Sequence, residues 1–249
     1  MTMIEGYNPF NSTAPVVPAS VEISVPTFPR IKAWSYSVVN QHRKCPQVIR
    51  FTKIERLPEP ENTAIQRGKG IHGELAHLVN TGEWPEGALI PHQDIWKKRL
   101  GHLHGAGAIA EQQIAFTKNW EQVPWYGANV WVRIVMDAML VLKDMVRVHE
   151  FKTGKVYPEH EKQKRLYALA ALKLNPTLDV VVVGCDYIDD PERADDLTRF
   201  TRAQELSLEQ EFAEFAEPLL SETIFPASPG VHCRWCSFRK SNGGPCAFG

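Results

Sequence analysis

Two apolar runs joined by Lys143-Asp144, the second ending in Glu150-Phe151-Lys152, set the strictest limit on how this chain can fold. The runs extend from about Val130 to Leu142 and from Met145 to Lys152, and the polar break between them reads as a tight turn between antiparallel strands. Alternate residues of a strand share a face, so Glu150 and Lys152 project together while Phe151 points the other way. An acid and a lysine on so apolar a strand carry a desolvation cost unless they share a ligand or a partner. Asp137, thirteen residues before Glu150, sits on the preceding strand. Beyond the hairpin, Glu159 to Leu174 reads as a helix, and Asp179 to Tyr187, with four successive valines, reads as a short buried strand. Strand, helix, strand in that order favours a right-handed crossover and a parallel pair, which makes the sheet mixed and the class α/β.

The remaining segments organise around that core. A strand from about Glu111 to Lys118 precedes the hairpin. Residues 1–30 are rich in Pro, Ser and Thr and read as an extended arm; residues 31–249 form a single domain. Within it we distinguish an N-terminal helical part (31–110), a core (111–190), and a C-terminal helix with a Cys-rich tail (191–249). A helix follows Ser35, with Ser35 or Ser37 as its cap and Val38 to Cys45 as its body. Gly68-Lys69-Gly70 opens a second, striped by Ile71, Leu75, Leu78 and Val79. A third starts near Ser207, where Ser207-Leu208-Glu209-Gln210 has the form of a capping box. Residues 82–91 read as loop. A net charge of −1 excludes a global basic field, so any nucleic-acid surface is a local patch. No run approaches the ~18 apolar residues of a membrane span, and the start lacks the pattern of a signal peptide. The expectation is a cytoplasmic protein without membrane contact, whose cysteines are ligands or free thiols rather than disulfides.

Asp137, Glu150 and Lys152 suit metal-assisted hydrolysis. Two carboxylates can hold Mg²⁺ or Mn²⁺, hard cations that prefer oxygen, and a lysine can orient water or stabilise charge on a phosphate. Glu-x-Lys alone is common on solvated hairpins, but the surroundings add to it. Gln163 and Tyr167, four apart, lie on the apolar side of the next helix, near the strand end that bears Lys152. His72 lies beside the stripe of the second helix; His77, five residues on, stands about 140° round from it, which excludes a zinc-protease pair. Cys185 belongs to the apolar strand. Cys45 near the start and Cys233, Cys236 and Cys246 near the end make four thiols that suit zinc or a [4Fe–4S] cluster, and spacing does not separate the two. Lys97-Lys98-Arg99, the run Lys162 to Arg165, and the tryptophans Trp34, Trp84 and Trp96 are candidate contacts to a nucleic acid.

Taken together, these pieces resemble the PD-(D/E)xK nuclease superfamily, in particular its RecB-type exonucleases and CRISPR-associated iron–sulfur nucleases. The resemblance runs from about Trp34 to Phe248. It is carried by Gly68-Lys69-Gly70-Ile71-His72, Asp137, Glu150-Phe151-Lys152-Thr153-Gly154 and Gln163-Lys164-Arg165-Leu166-Tyr167, with Glu111 like the acid that often begins the first strand. One departure is Ile134, where the family usually has Gly three residues before the Asp. The resemblance implies a restriction-endonuclease-like core, a mixed central sheet flanked by helices, whose N- and C-terminal segments are joined at the cysteines. It implies His72, Asp137 and Glu150 as ligands of Mg²⁺ or Mn²⁺, with the Phe151 carbonyl, and Lys152 as the catalytic lysine. Gln163, Tyr167 and Glu111 would contact DNA or support the site. For the cysteines it implies a [4Fe–4S] cluster, with structural Zn²⁺ as the alternative; Cys246 lies farther from Cys236 than is usual.

The activity implied is a metal-dependent exonuclease on single-stranded or free-ended DNA, in recombination, repair or phage DNA metabolism, in the host cytoplasm if phage-encoded. The alternatives are an endonuclease with the same site and a non-catalytic DNA-binding or assembly module. The sequence contains no phosphate loop, so a helicase or recombinase partner would be a separate chain. A homo-oligomer is compatible with it.

Overall fold

The computed structural model describes residues 26–59, 63–84, 89–193 and 196–248. Most of the expected N-terminal arm lies outside these residues, as does part of the 82–91 loop. The described chain builds a six-stranded mixed sheet with helices on both faces. Its strands are β1 (Ile109–Phe116), β2 (Gln122–Val123), β3 (Val132–Val141), β4 (Val146–Lys152), β5 (Val180–Tyr187) and β6 (Asp196–Thr201), in the order β2-β1-β3-β4-β5-β6. β3 and β4 form the expected antiparallel hairpin; β4 and β5 are the expected parallel pair, joined through a helix, α5 (Glu159–Leu174).

Two cores follow from the two faces of the sheet. On one, α5 carries an almost unbroken buried run, Leu166 to Leu172, because it is wedged between the sheet and the last helix, α6 (Glu205–Ser221). A helix apolar on every side is what that position demands, and its alanines let the layers approach closely. The first helix, α1 (Tyr36–Lys44), followed by the one-turn α2 (Pro46–Ile49), joins this layer: Trp34 stacks on Phe212 and meets Trp131 edge-on at 5.3 Å. The opposite face is covered by α3 (Thr63–Thr81) and α4 (Gln93–Leu100), where Ile71, Leu75, Leu78 and Val79 pack with Ala138, Leu140 and Phe151. Full burial of each large side chain contributes about 1.5–3 kcal/mol.

Several boundaries move. α3 begins at Thr63, five residues before the expected opening at Gly68. Each interior glycine costs about 1 kcal/mol against alanine, and the buried stripe holds the helix in spite of it. The capping box is displaced to Thr201 and Gln204, whose side-chain carbonyl accepts the Thr201 amide at 2.8 Å; Ser207 lies inside α6 and bonds back to the Gln204 carbonyl. Ser35 stands at the N-cap of α1, but its hydroxyl meets Ser37 rather than a helix amide. α4 and the edge strands β2 and β6 were not expected. β6 is short and polar, with Phe200 as its buried anchor, and the signal of a half-buried strand is weak in so few residues. No helix is long and apolar enough to cross a membrane among the described residues.

Candidate active site

The site forms where the β3–β4 hairpin opens. The ladder between the two strands ends at Ala138 opposite His149; one step on, Asp137 and Glu150 face each other across the splayed ends. In place of the next rung, the Asp137 side chain accepts the Phe151 amide at 2.6 Å through Oδ2. Its other oxygen, Oδ1, is 3.1 Å from Nδ1 of His72, presented by the middle of α3. With Nδ1 donating to the carboxylate, Nε2 is the nitrogen left to ligate.

On its other flank β3 pairs with β1, where Glu111 stands opposite Asp137 by register but takes a left-handed conformation, φ +49°. A non-glycine residue there, in the middle of a strand, is strained by about 1–2 kcal/mol. The conformation brings the Glu111 carboxylate to the site, so that ligand atoms of His72, Glu111 and Asp137 lie within 4.8 Å of one another. Sequence reasoning gave Glu111 a supporting role and placed Glu150 with His72 and Asp137; the geometry brings Glu111 into the trio and leaves Glu150 just outside it. No sequence signal marks a positive φ at a glutamate. Ile134, the departure from the usual glycine, is buried and pairs with Ile114 in an undisturbed part of the ladder.

Glu150 is buried and does a different job. Its Oε1 accepts Lys152 Nζ at 2.6 Å and Gln163 Nε2 at 2.8 Å, while Oε2 is buried without a partner. Gln163, from the first turns of α5, also accepts Lys152 Nζ at 2.8 Å and donates to the Tyr167 hydroxyl at 2.7 Å. The lysine is thus held from two sides. Gly154 (φ +89°) turns the chain after Lys152, and its amide donates to Asp189, which also receives Arg67 of α3.

The electrostatics of the site favour a positive charge. Burial and the neighbouring Asp137 raise Glu150 to about 7, with Lys152 only partly offsetting them. Burial and Asp137 likewise raise Glu111, and the hydrogen bond to Asp137 raises His72. Two acids raised by burial and by the neighbouring Asp137 carboxylate, with one orphaned buried oxygen, make a donor set fitted to a divalent cation.

Some candidates do not reach the site. Trp34 and Trp96 are core residues, and Trp84 is half-buried beneath Lys97. In the basic run on α5, Lys162 and Arg165 are both paired with Glu211, and Lys164 is buried against Glu161 and Asp196. These cations are neutralised within the fold.

The four expected cysteines gather at one place. Cys45, buried after α1, accepts the Ser228 amide at 3.5 Å, and Cys246 bonds Gln47 at 3.3 Å. Burial first, then Cys246, Cys45 and Cys233, raise the Cys236 thiol. Phe238 of the tail packs on Phe51, ring centroids 5.3 Å apart. Cys185 lies apart on β5, its thiol pushed up to about 12 by burial and Glu150. All five thiols are free.

Comparison with known proteins follows the same outline. A family model of the PD-(D/E)XK nuclease superfamily matches residues 33–241. The Gene 69 protein of Mycobacterium phage D29 is 22% identical over 260 residues, covering 83% of this chain and 95% of the phage protein. The crystal structure of an inferred exonuclease from Eubacterium rectale superposes with a TM-score of 0.43 at 11% identity, covering 82% of this chain and 88% of that one.

Proposed function

The chain belongs to the PD-(D/E)XK nuclease superfamily, and on that premise we propose a metal-dependent deoxyribonuclease that degrades single-stranded or free-ended DNA. The observation that carries the proposal is the Lys152 ammonium, gripped by Glu150 and Gln163 beside the trio of His72, Glu111 and Asp137. In this reading the trio, joined by the free oxygen of Glu150, holds Mg²⁺ or Mn²⁺. The bound cation supplies a water activated at neutral pH and neutralises charge on the scissile phosphate.

The chain's own residues do the rest. Lys152 aligns the attacking water and stabilises the charge that develops on the phosphate oxygens as the P–O bond breaks. Glu150 and Gln163 fix the ammonium, and Tyr167 fixes Gln163, so the donor is set before substrate arrives. His72 fixes the orientation of Asp137 from the side of α3.

The cysteines complete the proposal as a [4Fe–4S] site. What supports a shared site is the convergence of Cys45, Cys233 and Cys246 on Cys236 together with the resemblance to iron–sulfur nucleases, and structural Zn²⁺ is the alternative.

The test is digestion of end-labelled linear and closed circular single-stranded DNA by anaerobically purified protein, with Mn²⁺, with EDTA, and with Lys152→Ala. The expected result is degradation of the linear strand alone, abolished by EDTA and by the substitution. Cutting of the circle would make the enzyme an endonuclease. Binding without cleavage under either metal would make it a binding module.

A further inference from the structure

A cleft of about 560 Å³ opens directly from the site: Lys152, Gln163 and Tyr167 form one wall, and Trp125, Arg133 and Lys53 are among the others. A second cleft, about 740 Å³, shares Lys53, Lys152 and Gln163 with the first and continues past Lys44 along α1. Together they make one groove that ends on the catalytic lysine. Its cations outnumber its acids: Lys44, Lys53 and Arg133 border it beside Lys152, against Glu59 and Glu159 in the second cleft, whereas the net charge of the chain is −1.

We propose that Trp125, Arg133 and Lys53 form a binding site for an unpaired DNA strand, in which a base stacks on Trp125 and the adjoining phosphates lie against Arg133 and Lys53. The inference rests on the nuclease reading above and names where that enzyme grips its substrate. Trp125 is half-buried in the loop that crosses from β2 to β3, on either side of β1. The Arg133 guanidinium lies 5.7 Å over its ring, with Nε bonded to the Trp125 carbonyl at 3.0 Å, so ring and charge are held as one unit. Lys53 is exposed and borders a third cleft as well. None of the ion pairs among the described residues includes it. A flat aromatic wall beside fixed cations is the arrangement that retains single strands without regard to sequence. The bases of a duplex are already stacked on one another and offer no face to Trp125, and a cleft of this size takes a nucleotide or two, not a double helix.

Fluorescence anisotropy with labelled oligo(dT), in EDTA so that nothing is cleaved, tests the site. Trp125→Ala should weaken binding about tenfold or more and leave its salt dependence unchanged. Lys53→Ala should flatten the slope of log K against log salt by about 0.7, the share of one phosphate contact on a single strand. With Mn²⁺ both variants should raise KM and keep kcat at saturating oligonucleotide. Wild-type affinity in both variants, or an equal loss for a blunt hairpin duplex, would overturn the proposal while leaving the nuclease intact. Wild-type protein that neither binds nor cleaves DNA would overturn the nuclease reading and this site with it.

Discussion

Replacing Glu111 with glycine should leave the metal-free protein as stable as the wild type, or more so, while removing most of its activity. At φ +49° glutamate pays about 1–2 kcal/mol that glycine does not. Glycine in turn costs about 0.5–1 kcal/mol through the freedom it gives the unfolded chain. The difference is a gain of about 0–1.5 kcal/mol, or about 0–6 °C in Tm at 2–4 °C per kcal/mol. Removing the like charge beside Asp137 acts in the same direction. Gln113→Gly, two residues along the same strand where no left-handed φ occurs, is the control and should lose about 0.5–1 kcal/mol. Thermal melts with and without Mn²⁺ read both halves of the argument. At a metal concentration 100 times Kd the wild type should gain about 2.7 kcal/mol, and most of that shift should vanish in the variant. A Glu111→Gly protein as destabilised as Gln113→Gly, or one with the wild-type metal shift, would refute the reasoning.

Lys152→Met should lower kcat by about 10²–10³ with little effect on the metal-induced Tm shift, measured by single-turnover cleavage beside the melts. Burial and the nearby Lys152 hold His160 down to about 4, so as pH falls below about 6.5 the unfolded chain takes up a proton that the fold refuses. The His160 contribution to stability should therefore decline between pH 6.5 and 4, opposite in sign to that of Glu150, and His160→Gln, which can keep the contact to Tyr187, should make stability rise more steeply as pH falls in melts across this range. Cys45→Ser should lose the iron and colour of anaerobically purified protein and lower Tm, and unchanged iron content would remove Cys45 from the ligand set. Phe238→Ala should cost about 3–5 kcal/mol in chemical denaturation, because the ring is buried against Phe51.

What the sequence made legible was whatever repeats along it or recurs at fixed spacing. The hairpin, α5 and β5 emerged because long apolar runs leave few alternatives, and the meeting of His72 with Asp137 and of Gln163 with Lys152 came through the family resemblance. Features that depend on partners far along the chain stayed hidden. Lys162 and Arg165 look like a phosphate surface until Glu211, 46 residues beyond Arg165, neutralises them. Trp34 and Trp96 looked available and are core, whereas Trp125 drew no attention in a loop without periodicity. Glu111 reads as an acid in the sequence, but its place beside His72 and Asp137 goes with a left-handed backbone angle that no residue pattern announces. The capping box moved because Thr201 lies at the end of an edge strand that the sequence barely announces.

The packing of the tail on the first helices also decides how firmly the groove wall is held. Phe28 is tied to Thr223, Gln47 to Pro226 and Cys246 to Gln47, the last across 199 residues. The segment they anchor supplies α1 and Lys53, which wall the groove above the catalytic lysine. Trp34 and Tyr36 already rest on Trp131, Phe212 and Phe215, and the residues from Thr223 onward add a second hold at both ends of the segment. A chain without these contacts would keep Lys152, Glu150 and Asp137 on the sheet but hold the groove wall beside them less firmly.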